Sequence, residues 1–297
     1  ASGFIGTHAI APLLEADLEV HAVTQRADWG PAGVITHRAD LLDAHAALKL
    51  VGEVKADWLL HLAWYATPGL FWTSPENLRW VEATLRLLHA FESAGGTRAV
   101  VAGTCAEYDW SYPRSNERLT PLRPATFYGV SKYATYIVSH GWAEKVAMEL
   151  AWGRVFFAYG PGEAAGRLVP SVVGHLLAGE PAPATDGLQV RDFLYVEDVA
   201  RALVCLLASS VRGPVNIGSG VGVTVRSIVE RLGQEVGREE LLRIGAMKPS
   251  PGEPAELVAD VARLRDEVGF VPRVPLVDGI RSTVQWWRES GSGLVTD

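Results

Sequence analysis

Tyr128 and Lys132 are four residues apart in the run Tyr-Gly-Val-Ser-Lys. On a helix that spacing puts both side chains on one face, where an ammonium beside the phenol stabilises the phenolate. A tyrosine with a reference pKa of about 10 then exchanges protons near neutral pH. An isolated pair of this kind is usually an ordinary surface pair. Three companions change that balance. Thr104 stands where a strand should end and offers a hydroxyl. Gly3 and Gly6 open an apolar-periodic stretch, the pattern of a tight turn that lets a pyrophosphate approach the N–H groups of a helix N-terminus. The third companion is the alternation of strands and helices along the chain.

Those elements are read as follows. Residues 10–14 belong to a helix after the glycine turn, 18–24 and 57–63 form strands, and 43–51 form a helix between them. Leu78, Val81, Leu85 and Leu88 have helix spacing within 75–94, closed by Gly95 and Gly96. Residues 98–102 form a strand, 127–150 a long helix and 151–157 another strand. Beyond Pro161 the pattern loosens, with short helices over 199–207 and 225–232. Such alternation predicts a parallel, doubly wound α/β sheet covered on both faces.

The composition narrows the function classes. With 297 residues, 48% of them hydrophobic, the chain can bury a sizeable core, and no apolar run reaches the ~18 residues of a membrane span. Net charge is −7 and Lys and Arg form no run, which argues against a nucleic-acid surface. Cys105 and Cys205 make neither a metal spacing nor a disulfide framework, as suits a reducing cytoplasm, and no secretion signal is visible. The eight histidines show no metal-ligand pair, so no metal is expected.

These residues resemble the extended short-chain dehydrogenase/reductase family, in particular its nucleotide-sugar epimerases, dehydratases and 4-ketoreductases. Ala-Ser-Gly-Phe-Ile-Gly (1–6) is similar to its cofactor loop minus one glycine, His61-Leu62-Ala63 to a strand end beside the cofactor, and Gly103 to Tyr108 to the segment carrying its catalytic Ser or Thr. Residues 154–162, 189–200 and 216–220 follow in the family's order. The resemblance implies a Rossmann-type domain over 1–160 and a smaller, interleaved substrate-binding region over 161–297. Tyr128 would be the general acid/base, Lys132 would hold the nicotinamide ribose and lower the phenol's pKa, and Thr104 would bond the reacting sugar oxygen. Gly3, Phe4, Ile5, Gly6, Arg26, Asp40, Leu41, Leu62 and Ala63 would join Tyr128 and Lys132 around the cofactor. Arg191 would bind the diphosphate of a nucleotide sugar, with Trp64 and Arg167 also on the substrate. The helices over 76–92 and 126–150 would form the four-helix bundle of a homodimer.

Several positions keep a second reading. Arg191 could be a structural partner of Asp192 or Asp198, Asp40 could cap a helix, and Asp198 reads as a helix N-terminal carboxylate. Trp64, Tyr65, Phe71 and Trp72 could face a sugar or pack as core or lid.

Departures from the family pattern sharpen the expectation. Thr24-Gln25-Arg26 stands where an NAD enzyme carries an acid for the ribose hydroxyl, so NADP is preferred over NAD. Cys105-Ala106 replaces the Asp-Glu pair of the dehydratases. Glu107 is placed on the other face of an extended segment and is no replacement, and Cys105 reads as a filler. Before Pro251, Ser250 occupies a position where a basic residue is expected, with Lys248 as substitute. The leading reading is an NDP-hexose 4-ketoreductase, with a 4-epimerase retaining NAD and a non-catalytic dinucleotide sensor as alternatives. The family also has a strand and one more glycine before the position of Ala1. Roughly ten preceding residues are therefore expected, and a chain starting at Ala1 is expected to bind cofactor weakly.

Overall fold

Short β-branched runs separated by amphipathic stretches fold the first half of the chain into alternating helices and strands. The computed structural model describes residues 1–249 and 252–291. In order come α1 (Phe4–Glu15), β1 (Val20–Thr24), β2 (Val34–Arg38), α2 (Ala44–Val54), β3 (Trp58–His61), α3 (Glu76–Ser93), β4 (Arg98–Thr104), β5 (Arg114–Ser115), α4 (Phe127–Val146), β6 (Glu149–Val155) and β7 (Phe157–Tyr159). The rest comprises α5 (Leu168–Ala178), β8 (Ala182–Ala184), β9 (Val190–Tyr195), α6 (Val196–Ala208), β10 (Gly213–Ile217), β11 (Gly222–Thr224), α7 (Val225–Val236), β12 (Leu242–Ile244), β13 (Glu256–Ala259) and α8 (Leu276–Glu289).

The architecture is α/β with parallel, Rossmann-like sheets. Strands run parallel in the order β10-β6-β4-β3, and β1 pairs in parallel with β2 from Val20–Val34 to Thr24–Arg38. Side chains of β4 alternate between the two faces. Val100 joins the α6 side with Leu203 and Leu206, while Ala99 and Val101 pack toward Leu88, Tyr136 and Trp152 beneath α3 and α4. Ala9 of α1 meets Ala200 and Val204 of α6, a close crossing allowed by small side chains. Elements after residue 160 supply another core, in which Val172 and Leu176 of α5 meet Ile228 and Leu232 of α7 and Ile280 of α8. Strand β10 and helix α6 return to the first sheet. Among the described residues, no helix is long and apolar enough to cross a membrane.

Several elements depart from the sequence expectation, among them α5 and α8, which the loosened pattern beyond Pro161 did not announce. The long helix ends at Val146, because Ala147 takes a left-handed conformation with φ of 57°. Glu149 and Leu150 are thereby released into β6. Strand β2 was not expected: it is a half-exposed edge of five residues whose sole partner among the described residues is β1, so its periodicity is weak.

Candidate active site

Strand β4 ends at Thr104 and turns at once into a single 3-10 turn, Cys105–Glu107. That turn folds Glu107 back beneath Thr104 rather than onto the far face of an extended segment. The buried Glu107 carboxylate accepts the Thr104 amide at 2.9 Å, Trp152 Nε1 at 2.8 Å and Arg154 Nε at 2.8 Å. Arg154 also donates to the Tyr108 hydroxyl at 3.1 Å, which donates to Asn216 Oδ1 at 2.7 Å. Each of these oxygens is satisfied where water cannot reach, so the pair fixes Thr104 without exposing an acid to the cavity. Sequence reasoning missed this role. The signal was present in the capping-box spacing from Thr104 to Glu107.

Helix α4 begins with Thr126, whose hydroxyl accepts the Gly129 amide at 3.1 Å. Gly129 lies so close to the Ala106 carbonyl that a side chain there would collide with it. The contact brings Tyr128 to the same cavity wall as Thr104, whose hydroxyl accepts the Ala106 amide at 3.2 Å. Burial raises the phenol above its ordinary value, with the Thr104 hydrogen bond opposing it most. Lys132 donates to the Ala102 carbonyl at 2.8 Å and lies 3.8 Å above the Trp64 ring. The expected lowering of the phenol by Lys132 is therefore not seen. The ammonium is engaged by the Ala102 carbonyl, and after burial and the Thr104 hydrogen bond the charges acting on the phenol are those of Cys105 and Glu107, which raise it, and of Arg167, which opposes them. Burial also lowers Lys132 to about 7, against the pull of Glu107. Cys105 is buried and its thiol is raised by burial to about 12, as suits a filler.

Aromatic rings cover the phenol. Phe71 packs edge-on against Tyr128 at 4.9 Å and Trp72 at 5.9 Å, while the Tyr128 amide donates to the Trp72 carbonyl at 3.0 Å. Trp110 donates to the Cys105 carbonyl and stands edge-on to Trp72. Trp64 is tied to Asn77 by a 2.8 Å hydrogen bond. Arg191 pairs with neither Asp192 nor Asp198 but with Glu253, at 2.8 Å. Asp192 instead accepts the amides of Ser219, Gly220 and Ala259, and Asp198, in the first turn of α6, accepts those of Arg273 and Val274.

A cavity of about 2020 Å³ joins these side chains to the N-terminus of α1. Gly3, Phe4, Ile5, Gly6, Arg26, Leu41, Leu62 and Ala63 line it, together with Trp64, Thr104, Tyr128, Lys132, Arg167 and Arg191. Asp40 is not on its wall. The Asp40 carboxylate accepts the Leu42 amide, and the cap of α2 is Asp43. Helix α1 starts at Gly3 without a side-chain cap and without an acid in its first turn. A side chain at Gly6 would strike the Ala1 carbonyl, so the turn tolerates only glycine there. Uncapped N–H groups facing a cavity fit a dinucleotide pyrophosphate. Lys248 lines the same cavity, whereas Ser250 and Pro251 lie outside the described residues. Among the described residues, no three His, Cys, Asp or Glu side chains converge as metal ligands would.

The model of the NAD dependent epimerase/dehydratase family matches residues 1–218. The chain belongs to that family. Its epimerase/dehydratase relatives include the UDP-glucose 4-epimerase of Azospirillum brasilense, 28% identical over 97% of this chain and 90% of that protein. The dTDP-glucose 4,6-dehydratase of Neisseria gonorrhoeae is 32% identical over 58% of this chain, a match spanning 53%, about half, of the relative's own length. Among solved structures of epimerase/dehydratase likeness, the Thermus thermophilus UDP-glucose 4-epimerase complex with NAD has a TM-score of 0.87 and 27% identity, covering 98% of this chain and 97% of that one. MoeE5 in complex with UDP-glucuronic acid and NAD has a TM-score of 0.85 and 32% identity over the same shares.

Proposed function

We propose that the protein is an NAD(P)-dependent oxidoreductase that moves a hydride at C4 of a nucleoside-diphosphate hexose. The observation that carries this reading is that Thr104, Tyr128 and Lys132 line one wall of a cavity that also reaches the uncapped start of α1. Gly3, Phe4, Ile5 and Gly6 would hold the pyrophosphate, Arg26 and Leu41 the adenosine end, and Leu62, Ala63 and Lys132 the nicotinamide end. When bound, that group supplies the hydride acceptor or donor at the sugar carbon.

The side chains divide the remaining work. Tyr128, kept as the neutral phenol by burial, gives its proton to the sugar oxygen as the carbonyl is reduced, and in the reverse direction only its phenolate would take one back. Thr104 donates to the same oxygen and holds it at the phenol. Lys132, over the Trp64 ring, would place positive charge by the site when protonated. Phe71, Trp72 and Trp110 exclude water. Arg191, released from Glu253, and Arg167 grip the diphosphate or the sugar, and Trp64 packs beside it.

Within this class, the 4-ketoreductase reading is supported by the end of β1, where Thr24, Gln25 and Arg26 face the cavity and the nearby Asp28 does not. Such an end favours the phosphorylated dinucleotide, whose reduced form, NADPH, a reductase consumes. The 4-epimerase reading is supported by the full-length likeness to a UDP-glucose 4-epimerase in complex with NAD. Stoichiometric loss of NADPH with a 4-keto sugar nucleotide is expected for the reductase; epimer formation without net cofactor consumption would replace it. We also place the protein in the cytoplasm as a homodimer with a bundle of α3 and α4. Leu78, Val130, Ile137 and Val138 stand exposed on these helices. Light scattering is expected to give twice the chain mass, and a monomer would contradict the bundle.

A further inference from the structure

The loop 160–167 between β7 and α5 carries an acid and a base that proton transfer at Tyr128 leaves unused. Glu163 and Arg167 both line the cavity. Glu163 is half-buried, yet its Oε2 is closed off from solvent and has no hydrogen-bond partner among the described residues. Arg167 precedes α5 without capping it, and its side chain makes no ion pair or hydrogen bond among the described residues. Its guanidinium lies 4.9 Å over the Phe71 ring, whose edge-on partner is Tyr128. Gly166 rests against Pro68, which clasps this loop to the loop that carries Phe71.

A free arginine beside an acid/base tyrosine is a ready anion site. An ionised carboxylate four residues away would be expected to occupy it. A carboxyl closed off from water with an unpartnered oxygen instead keeps its proton, because the charged form would lack the donors it needs. We propose that Glu163 is a positioning residue for Arg167: while uncharged it leaves the guanidinium to a phosphate or carboxylate of the substrate, and on ionising it withdraws that cation. The inference rests on the nucleotide-sugar reading above.

The groups around Glu163 agree with this. Burial raises its carboxyl to about 8, opposed by the Arg167 charge and the Gly160 amide. From α1, His8 approaches through its 2.9 Å hydrogen bond to the Pro161 carbonyl. The loop 66–74 contributes Pro68 and Phe71 and has no charged residue. A carboxyl raised in this way is neutral below its pKa, so anion binding is strong at neutral pH and falls as pH rises through about 8.

The test is calorimetric titration of the NAD-loaded full chain, between about pH 7 and about pH 9.5, with UDP, dTDP, UDP-glucose and UDP-glucuronic acid. The wild type is expected to lose about tenfold in affinity across that range, and Glu163→Gln to lose none of it. A slope already present with UDP or dTDP assigns Arg167 to phosphate; one confined to UDP-glucuronic acid assigns it to a carboxylate. If Glu163→Gln does not fold, Arg167→Leu carries the test, since it should weaken binding at neutral pH and abolish the slope. An equal slope in wild type and variant, or a flat wild type, overturns the inference alone. No binding of any of the four ligands by the wild type overturns the nucleotide-sugar reading and this inference with it.

Discussion

The floor and the roof of the site are built on opposite principles. Below Thr104, Glu107 and Arg154 are wholly buried, and with Trp152, Tyr108 and Asn216 they form a nearly closed network of hydrogen bonds. Above Tyr128, Phe71, Trp72 and Arg167 hold one another through ring and cation contacts between two loops. A buried network of charges tolerates few arrangements, because each lost partner leaves a desolvated group behind. Ring contacts are less directional, and loops that use them can open and close over a ligand. The floor therefore sets the reacting atoms, and the roof sets what may approach them.

Substitutions that separate chemistry from scaffold test this contrast hardest. Tyr128→Phe keeps the ring against Phe71 but removes the proton carrier, so turnover should fall by about 10²–10⁴ with melting temperature close to wild type. A large loss of stability would show that the hydroxyl belongs to the scaffold. Glu107→Ala should cost about 3–5 kcal/mol of stability in denaturant titration, because it strands the Arg154 charge inside the floor. Phe71→Leu, in the roof, should cost about 1 kcal/mol and raise KM more than it lowers kcat. Equal stability losses at Glu107 and Phe71 would erase the distinction. The smallest effect is chemical: a thiol reagent near pH 8 should modify the exposed Cys205 and spare Cys105, whose thiol burial holds at about 12. Rapid labelling of Cys105 in the native protein would show that its thiol is reached and ionised through the cavity, contrary to its burial.

The same contrast decides what was legible in the sequence. Thr104, Tyr128, Lys132 and the Gly3–Gly6 turn are local patterns, and each stands on the strand end or helix that its spacing indicated. The Thr104 to Glu107 cap is equally local but reads as extended in the sequence, because three residues carry no periodicity. Strand β2 depends on pairing with β1, and the stop of α4 depends on one left-handed alanine that its residue type does not announce. The partner of Arg191 lies 62 residues away at Glu253. Arg167 and Phe71 meet only when two distant loops fold over the same cavity. Such contacts come from tertiary structure, where charge and ring type have many possible partners along the chain.

The central claim is that Tyr128 moves the proton that accompanies hydride transfer on a nucleotide sugar. Its most direct test is the absorbance of reduced nicotinamide after mixing cofactor-loaded protein with UDP-glucose, dTDP-glucose or a 4-keto sugar nucleotide, for wild type and Tyr128→Phe side by side. The prediction is a change with at least one of these substrates in the wild type and a rate about 10²–10⁴ lower in the variant. Equal rates in the two proteins, or neither an absorbance change nor an epimerised sugar nucleotide with any substrate in the wild type, would contradict it.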